Sequence, residues 1–166
     1  MKEALKSPVG QYPDLAKFIQ GVEKRVEEGY FQKGAEILIN RTPGRLDLMG
    51  GNDDYTGGLV FETTIREATL VAVQSRPDQT VRFLNPAVKS LGWREKIEFS
   101  LADLMDNGIV KPLEAVRAWI NKDPARAWCA YVLGNLYFLI NRYPGKVNHG
   151  FSLYLESDVP LGKGVS

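Results

Sequence analysis

Between Arg45 and Gly58 the chain reads Arg-Leu-Asp-Leu-Met-Gly-Gly-Asn-Asp-Asp-Tyr-Thr-Gly-Gly. Arg45 stands with Asp47, Asp53 and Asp54 and with the glycines Gly50, Gly51, Gly57 and Gly58. Glycines make tight turns and let a ligand approach the backbone. Carboxylates and a guanidinium hold polyhydroxylated or phosphorylated ligands by charge-assisted hydrogen bonds. Taken alone, the same residues also make a sound hairpin turn. A second stretch with chemical potential closes the chain: Pro160-Leu161-Gly162-Lys163-Gly164-Val165-Ser166. After a strand, two glycines two apart let successive backbone N–H groups point at an anion. Ser166 offers a hydroxyl to a phosphate or a metal, and a helix starting there would add its N-terminal dipole. The stretch is not a Walker A loop: position 157 is a serine, and Lys163 is followed by Gly164 rather than Ser or Thr.

The elements that must hold these stretches are legible from periodicity. Leu15, Phe18, Ile19, Val22 and Val26 share one face of a helix predicted over 13–30, with Pro13 in its first turn and Gly29 as its stop. The twelve residues before it show no pattern. From Glu36 the period becomes that of strands. Residues 36–40 lead through Pro43-Gly44 into a half-buried strand over 45–49, with Leu46 and Leu48 facing inward. Further strands are expected over 59–61, 68–74, 80–84 and 96–99, with Pro77-Asp78 as a turn. Residues 101–105 suit a helical turn, and 112–120 a short helix. Asp123 as N-cap and Pro124 at the first position open a longer helix to about Tyr143, ended by Pro144-Gly145. Phe151, Leu153 and Leu155 alternate in a last strand. Strands and helices do not alternate regularly, so the fold class is α+β rather than doubly wound.

Bulk properties narrow the function. The 166 residues amount to one domain, or a domain and a fragment. A net charge of +1 gives no basic field for nucleic acid or anionic lipid. Cys129 is the single cysteine, so an internal disulfide is impossible and a reducing compartment fits. No apolar run reaches membrane-spanning length, and residues 1–11 lack the apolar stretch of a secretory signal. A cytoplasmic location is expected. Cys129 reads as a small buried residue, His149 as a turn or surface residue, and Trp93 and Trp119 as packing. Arg66-Glu67 reads as an ion pair or a solvated pair.

The two glycine-rich stretches, in this order, resemble the N-terminal part of a GHMP-type small-molecule kinase. Gly44-Arg45 with Asp54-Tyr55-Thr56-Gly57-Gly58 is similar to the sugar-binding signature of the galactokinase and L-arabinokinase branch. Residues 160–166 resemble the first half of that group's ATP-binding motif. Trp128-Cys129-Ala130-Tyr131-Val132-Leu133-Gly134 is similar to a helix between the two. The similarity runs from about Pro43 to Ser166.

The resemblance implies an α+β domain of a type shared with a ribosomal protein domain, with a mixed sheet and helices on one side, incomplete here. Residues 1–34 would be an arm and a helix. Residues 35–166 would be the N-terminal kinase domain, cut within the ATP-binding motif, with a C-terminal domain of the same enzyme expected beyond it. The implied reaction transfers the ATP γ-phosphate to the anomeric hydroxyl of a monosaccharide, with Mg²⁺. By motif, Arg45 sits near the transferring phosphoryl group and is the catalytic candidate. Asp54 holds sugar hydroxyls, and Gly51 and Asn52 line the sugar. Gly162, Lys163, Gly164 and Ser166 line the triphosphate. Trp128 and Tyr131 lie near the nucleotide base, although their spacing of three is also that of helix core packing. The metal ligands and the catalytic Asp are expected beyond Ser166. Asp47 and Asp53 are read as fixing the loop, and Tyr55 as support.

One departure bears on the substrate. Galactokinases carry Glu-His where this chain has Gly51-Asn52, whereas arabinokinase-like sequences share the Gly50-Gly51 pair. L-Arabinopyranose lacks the hydroxymethyl group of galactose, so the swap favours an arabinokinase-like pocket. The other departure is the missing remainder of the site, so the 166-residue chain is expected to be inactive alone. A non-catalytic sugar- or nucleotide-binding relative is the competing reading. An RNA-binding module is disfavoured by the charge.

Overall fold

The computed structural model describes residues 12–51, 53–106, 108–163 and 165, with only the backbone at Asp54. The ordered elements are α1 (Pro13–Glu27), β1 (Leu38–Met49), β2 (Phe61–Ser75), β3 (Thr80–Leu84), β4 (Lys96–Ser100), β5 (Met105–Asp106), β6 (Ile109–Val110), α2 (Leu113–Asn121), α3 (Ala130–Arg142) and β7 (Phe151–Ser157). Five strands form one sheet in the order β1-β2-β7-β3-β4. All its pairs are antiparallel except β3 with β7, so the sheet is mixed. β5 and β6 form a separate small hairpin.

Each face of the sheet has its own core. On one face, Val81, Phe83, Ile97, Phe99 and Leu153 pack against Val116 and Ile120 of α2 and Leu133, Leu136 and Ile140 of α3. The α+β class and the mixed sheet are as expected, and within residues 35–166 the α-helices pack on this one face. The other face is covered by α1, which the sequence reading had set apart as a preceding helix. Its Phe18 and Val22 bury against Leu70, Ala72, Leu84 and Tyr154. Phe18 stacks on the Tyr154 ring with centroids 5.0 Å apart. This second cover changes β7. Ser152 and Tyr154, which alternate with Phe151, Leu153 and Leu155, are buried on this face. At the N-terminus of α1, Asp14 Oδ2 accepts from Arg41 Nε at 2.8 Å, and Arg41 Nη2 donates to the Arg66 carbonyl at 2.7 Å. α1 is thereby pinned to the β1–β2 hairpin.

Local chemistry explains the boundaries. α1 starts at Pro13, whose missing N–H costs nothing in a first turn, and gives way to Gly29 at φ 75°. Asp123 caps the next helical stretch by accepting from the Ala125 N–H at 3.0 Å. That stretch runs as a tighter 3₁₀ turn over Pro124–Cys129 before α3 begins, rather than as one α-helix. The strands expected over 36–40 and 45–49 are a single strand, because Pro43-Gly44 is absorbed as a bulge instead of ending it. β2 likewise runs unbroken from Phe61, whereas Leu59 lies before it and is exposed. The 3₁₀ turn Pro86–Leu91 and the β5–β6 hairpin had no expected counterpart. Among the described residues no helix is long and apolar enough to cross a membrane.

Candidate active site

The β1–β2 hairpin carries the first glycine-rich stretch at its tip. The strands pair from Leu38 with Val73 to Met49 with Phe61, with register shifts between Pro43 and Arg45 and between Asp47 and Met49. Bulges of this kind re-aim side chains beside functional sites. Between the two shifts, Arg45, Leu46 and Asp47 pair with Thr64, Thr63 and Glu62. Residues two apart in a strand share a face, so Arg45 and Asp47 stand together opposite Thr64 and Glu62. Arg45 Nη1 lies 3.2 Å from Glu62 Oε1, with half of the arginine side chain exposed. Asp47 Oδ1 is buried and has no hydrogen-bond partner among the described residues. Leu48, expected to face inward, is exposed because the second bulge turns it out.

The loop after β1 braces itself. The Asp53 N–H donates to the Gly50 carbonyl at 2.9 Å, and the Asp53 carbonyl accepts from the Gly58 N–H at 2.8 Å and from the Thr56 hydroxyl at 2.9 Å. Gly50 has φ 112°, and a β-carbon there would stand 2.9 Å from the Val60 Cα. Only glycine fits. Gly51 has φ 56° with open space around it. Asp53 fixes the loop through its main-chain N–H and carbonyl. Tyr55 is 84% exposed, so its ring is open to solvent rather than packed as support. Asn52 and the Asp54 side chain lie outside the described residues.

The closing segment returns to the same place. After β7, the Asp158 N–H donates to the Ala68 carbonyl at 3.1 Å. Val159 then crosses β1 at Gly44, where an added β-carbon would meet Val159 Cγ2 at 3.2 Å and Ile65 Cδ1 at 3.0 Å. Val165 forms an antiparallel bridge with Leu46, the neighbour of Arg45. Two stretches far apart in sequence therefore meet on one strand. Gly162 has φ 67° and Lys163 is exposed, so both are accessible to an anion. Gly164 and Ser166 lie outside the described residues.

The aromatic pair separates. Trp128 is in the hydrophobic core, and its indole N–H donates to the Arg94 carbonyl at 2.8 Å. A ring held this way has no free face for a nucleotide base, which corrects the expectation for Trp128. Tyr131, on the first turn of α3, is 84% exposed and free to contact a ligand. Cys129 is fully buried, and burial pushes its thiol up to about 11, so it is no nucleophile. His149 is exposed, and Trp119 packs edge-on against Phe99. Arg66 and Glu67 are both exposed. Among the described residues no group of three or more His, Cys, Asp or Glu is placed to hold a metal ion. A groove of about 450 Å³ lined by Leu38, Val73, Val147 and His149 opens at the opposite end of the sheet.

Glu62 and Val159 were not singled out from sequence. Counting back across the hairpin from Asp47 points to Glu62, but only once the bulges that set the register are known.

Comparison with known proteins bears on this arrangement. Residues 28–75 match the galactokinase galactose-binding signature. The chain is 33% identical to an L-arabinokinase of Arabidopsis thaliana, over 87% of this chain and 16% of that protein. It is 32% identical to a galactokinase of Chloroflexus aggregans, over 84% of this chain and 30% of that one. Its fold matches the structure of Lactococcus lactis galactokinase complexed with galactose, with a TM-score of 0.61, 24% identity, and coverage of 87% and 32%. It also matches the Methanococcus jannaschii mevalonate kinase, with a TM-score of 0.55, 13% identity, and coverage of 80% and 36%. The chain thus spans well under half the length of these relatives. Signature, relatives and fold agree on one group of kinases, over their N-terminal portion.

Proposed function

We propose that this chain, which shares its sequence signature and fold with the N-terminal portion of the galactokinase and L-arabinokinase branch of the GHMP kinases, supplies the first half of a sugar 1-kinase site. The full-length enzyme transfers the γ-phosphate of ATP to the anomeric hydroxyl of a monosaccharide such as galactose or L-arabinose. The observation that carries this reading is the bridge between Leu46 and Val165, which sets the glycine-rich closing segment beside Arg45.

In this reading the residues divide the work. Arg45 is fixed on a strand, and its guanidinium stabilises negative charge as it develops, at no cost of reorganisation. Asp54 accepts hydrogen bonds from sugar hydroxyls, and Gly51 and Asn52 form the wall that decides which sugar fits. Gly162, Lys163, Gly164 and Ser166 hold the phosphates of ATP, which supplies the phosphoryl group when bound. The open backbone at Gly162 and the exposed Lys163 suit that task. Tyr131 is kept as a contact for the base. Mg²⁺ ligands and the base that deprotonates the sugar lie beyond Ser166, in the remainder of the domain and a C-terminal domain. The division at residue 35 and the cytoplasmic location belong to the same proposal. Such catalysis is mostly positioning and charge stabilisation, so residues 1–166 alone are inactive.

The absence of a Glu-His pair at Gly51-Asn52 favours a pentose pocket. Comparing kcat/KM of the full-length enzyme for L-arabinose and galactose tests this choice. A preference for L-arabinose is expected, and a strong preference for galactose would refute it.

A further inference from the structure

We propose that Glu62 is a positioning residue for Arg45, a role that rests on the kinase reading above. Glu62 lies directly opposite Asp47 across the β1–β2 ladder. Directly opposed residues have β-carbons about 4.5–5.5 Å apart, and like charges there repel. Arg45 shares the face of Asp47 and reaches diagonally to Glu62, Nη1 to Oε1 at 3.2 Å. Among the described residues this is the only ion pair that either side chain makes. The guanidinium is therefore held from the Glu62 side, and the Glu62 side chain, only 26% exposed, has little freedom to swing away. The bulges on either side fix the strand segment that presents all three. The Leu46–Val165 bridge sets the closing segment beside the same residue. Glu62 thus holds the guanidinium at the strand, pointed at one place, before any ligand arrives. An unrestrained arginine would sample many rotamers, and misplacement of about 1 Å in a catalytic group costs about 100-fold in rate.

The test uses the full-length protein, with sugar-dependent ADP release as readout. Glu62→Gln removes the charge and keeps the shape. It is expected to lower kcat about 5- to 20-fold, with KM for the sugar unchanged within about twofold and the melting temperature unchanged. Glu62→Asp is expected to recover part of the loss. In an Arg45→Ala background, Glu62→Gln is expected to have no further effect, because the pair acts as one unit. An unchanged kcat in Glu62→Gln, with Arg45→Ala strongly impaired, overturns the role of Glu62 and leaves the kinase reading intact. An equal loss from Glu62→Gln in both backgrounds also overturns it. Full activity in Arg45→Ala overturns the role of Arg45, and the inference with it.

Discussion

Adjacent glycines at the loop tip should respond very differently to the same methyl group. At Gly50, φ is 112°, and an added β-carbon would lie 2.8 Å from Val60 Cγ1 and 2.9 Å from Val60 Cα. The second contact is with backbone, which no rotamer change relieves. Backbone strain of about 1–3 kcal/mol adds to overpacking of about 1–3 kcal/mol. Removing unfolded-state freedom returns about 0.4–1 kcal/mol. Gly50→Ala should therefore destabilise the loop by about 2–5 kcal/mol. At Gly51, φ is 56° and none of the described residues lies within 4 Å of an added β-carbon. The left-handed conformation costs alanine about 1–2 kcal/mol, with the same entropic return, so Gly51→Ala should cost about 1 kcal/mol. Urea unfolding of the chain gives the global effect. Amide exchange at the Asp53 N–H, which donates to the Gly50 carbonyl, gives the local one. Gly50→Ala should accelerate that exchange at least tenfold more than Gly51→Ala. Equal effects, or a larger one at Gly51, would refute the loop geometry.

Three further outcomes follow from the fold. Gly150→Ala would place a β-carbon 2.0 Å from the Thr80 carbonyl oxygen and 2.5 Å from its carbon. That backbone collision at the start of β7 should cost more than about 4 kcal/mol, and a midpoint shift worth under 1 kcal/mol would contradict the close approach of β3 and β7. Phe18→Ala empties the core between α1 and the sheet and should cost about 3–5 kcal/mol by chemical denaturation; a negligible loss would mean that α1 does not cover that face. Cys129 should resist alkylation at pH 8 in the folded chain and react in urea. Because burial raises its pKa from 9.0 to about 11, the unfolded chain releases the proton first. This thiol's contribution to stability should then be full below pH 9 and fall as pH rises towards 11. Ready labelling of the native thiol would contradict its burial.

Local signals reached most of the fold. Helical spacing from Leu15 to Val26, proline at the starts and the Asp123 cap each act within a few residues, and the helix starts fall where expected, although the stretch after Asp123 opens as a 3₁₀ turn. What the sequence hid depends on long-range packing. Nothing in the alternation of β7 announces that α1 covers the face of Ser152 and Tyr154. Pro43-Gly44 read as a break because its absorption as a bulge requires the partner strand. The site divides in the same way. Arg45, Gly51 and the 162–166 stretch stand out as residue types at fixed spacing, and their roles remain part of the proposal. The Arg45–Glu62 pair required the register, and the fit of Val159 over Gly44 required the crossing of a distant segment. For Trp128 the helical spacing pointed to core packing and the resemblance to a base contact; the burial of its ring agrees with the spacing.

The central claim is that residues 1–166 form half of a sugar kinase site with Arg45 at its centre. ADP release in the presence of ATP, Mg²⁺ and either L-arabinose or galactose tests it most directly. The full-length protein should turn over, Arg45→Ala should lose about 100- to 1,000-fold in kcat, and residues 1–166 alone should give a flat trace. A full-length protein without sugar-dependent ADP release, or turnover by residues 1–166 alone, would contradict the account.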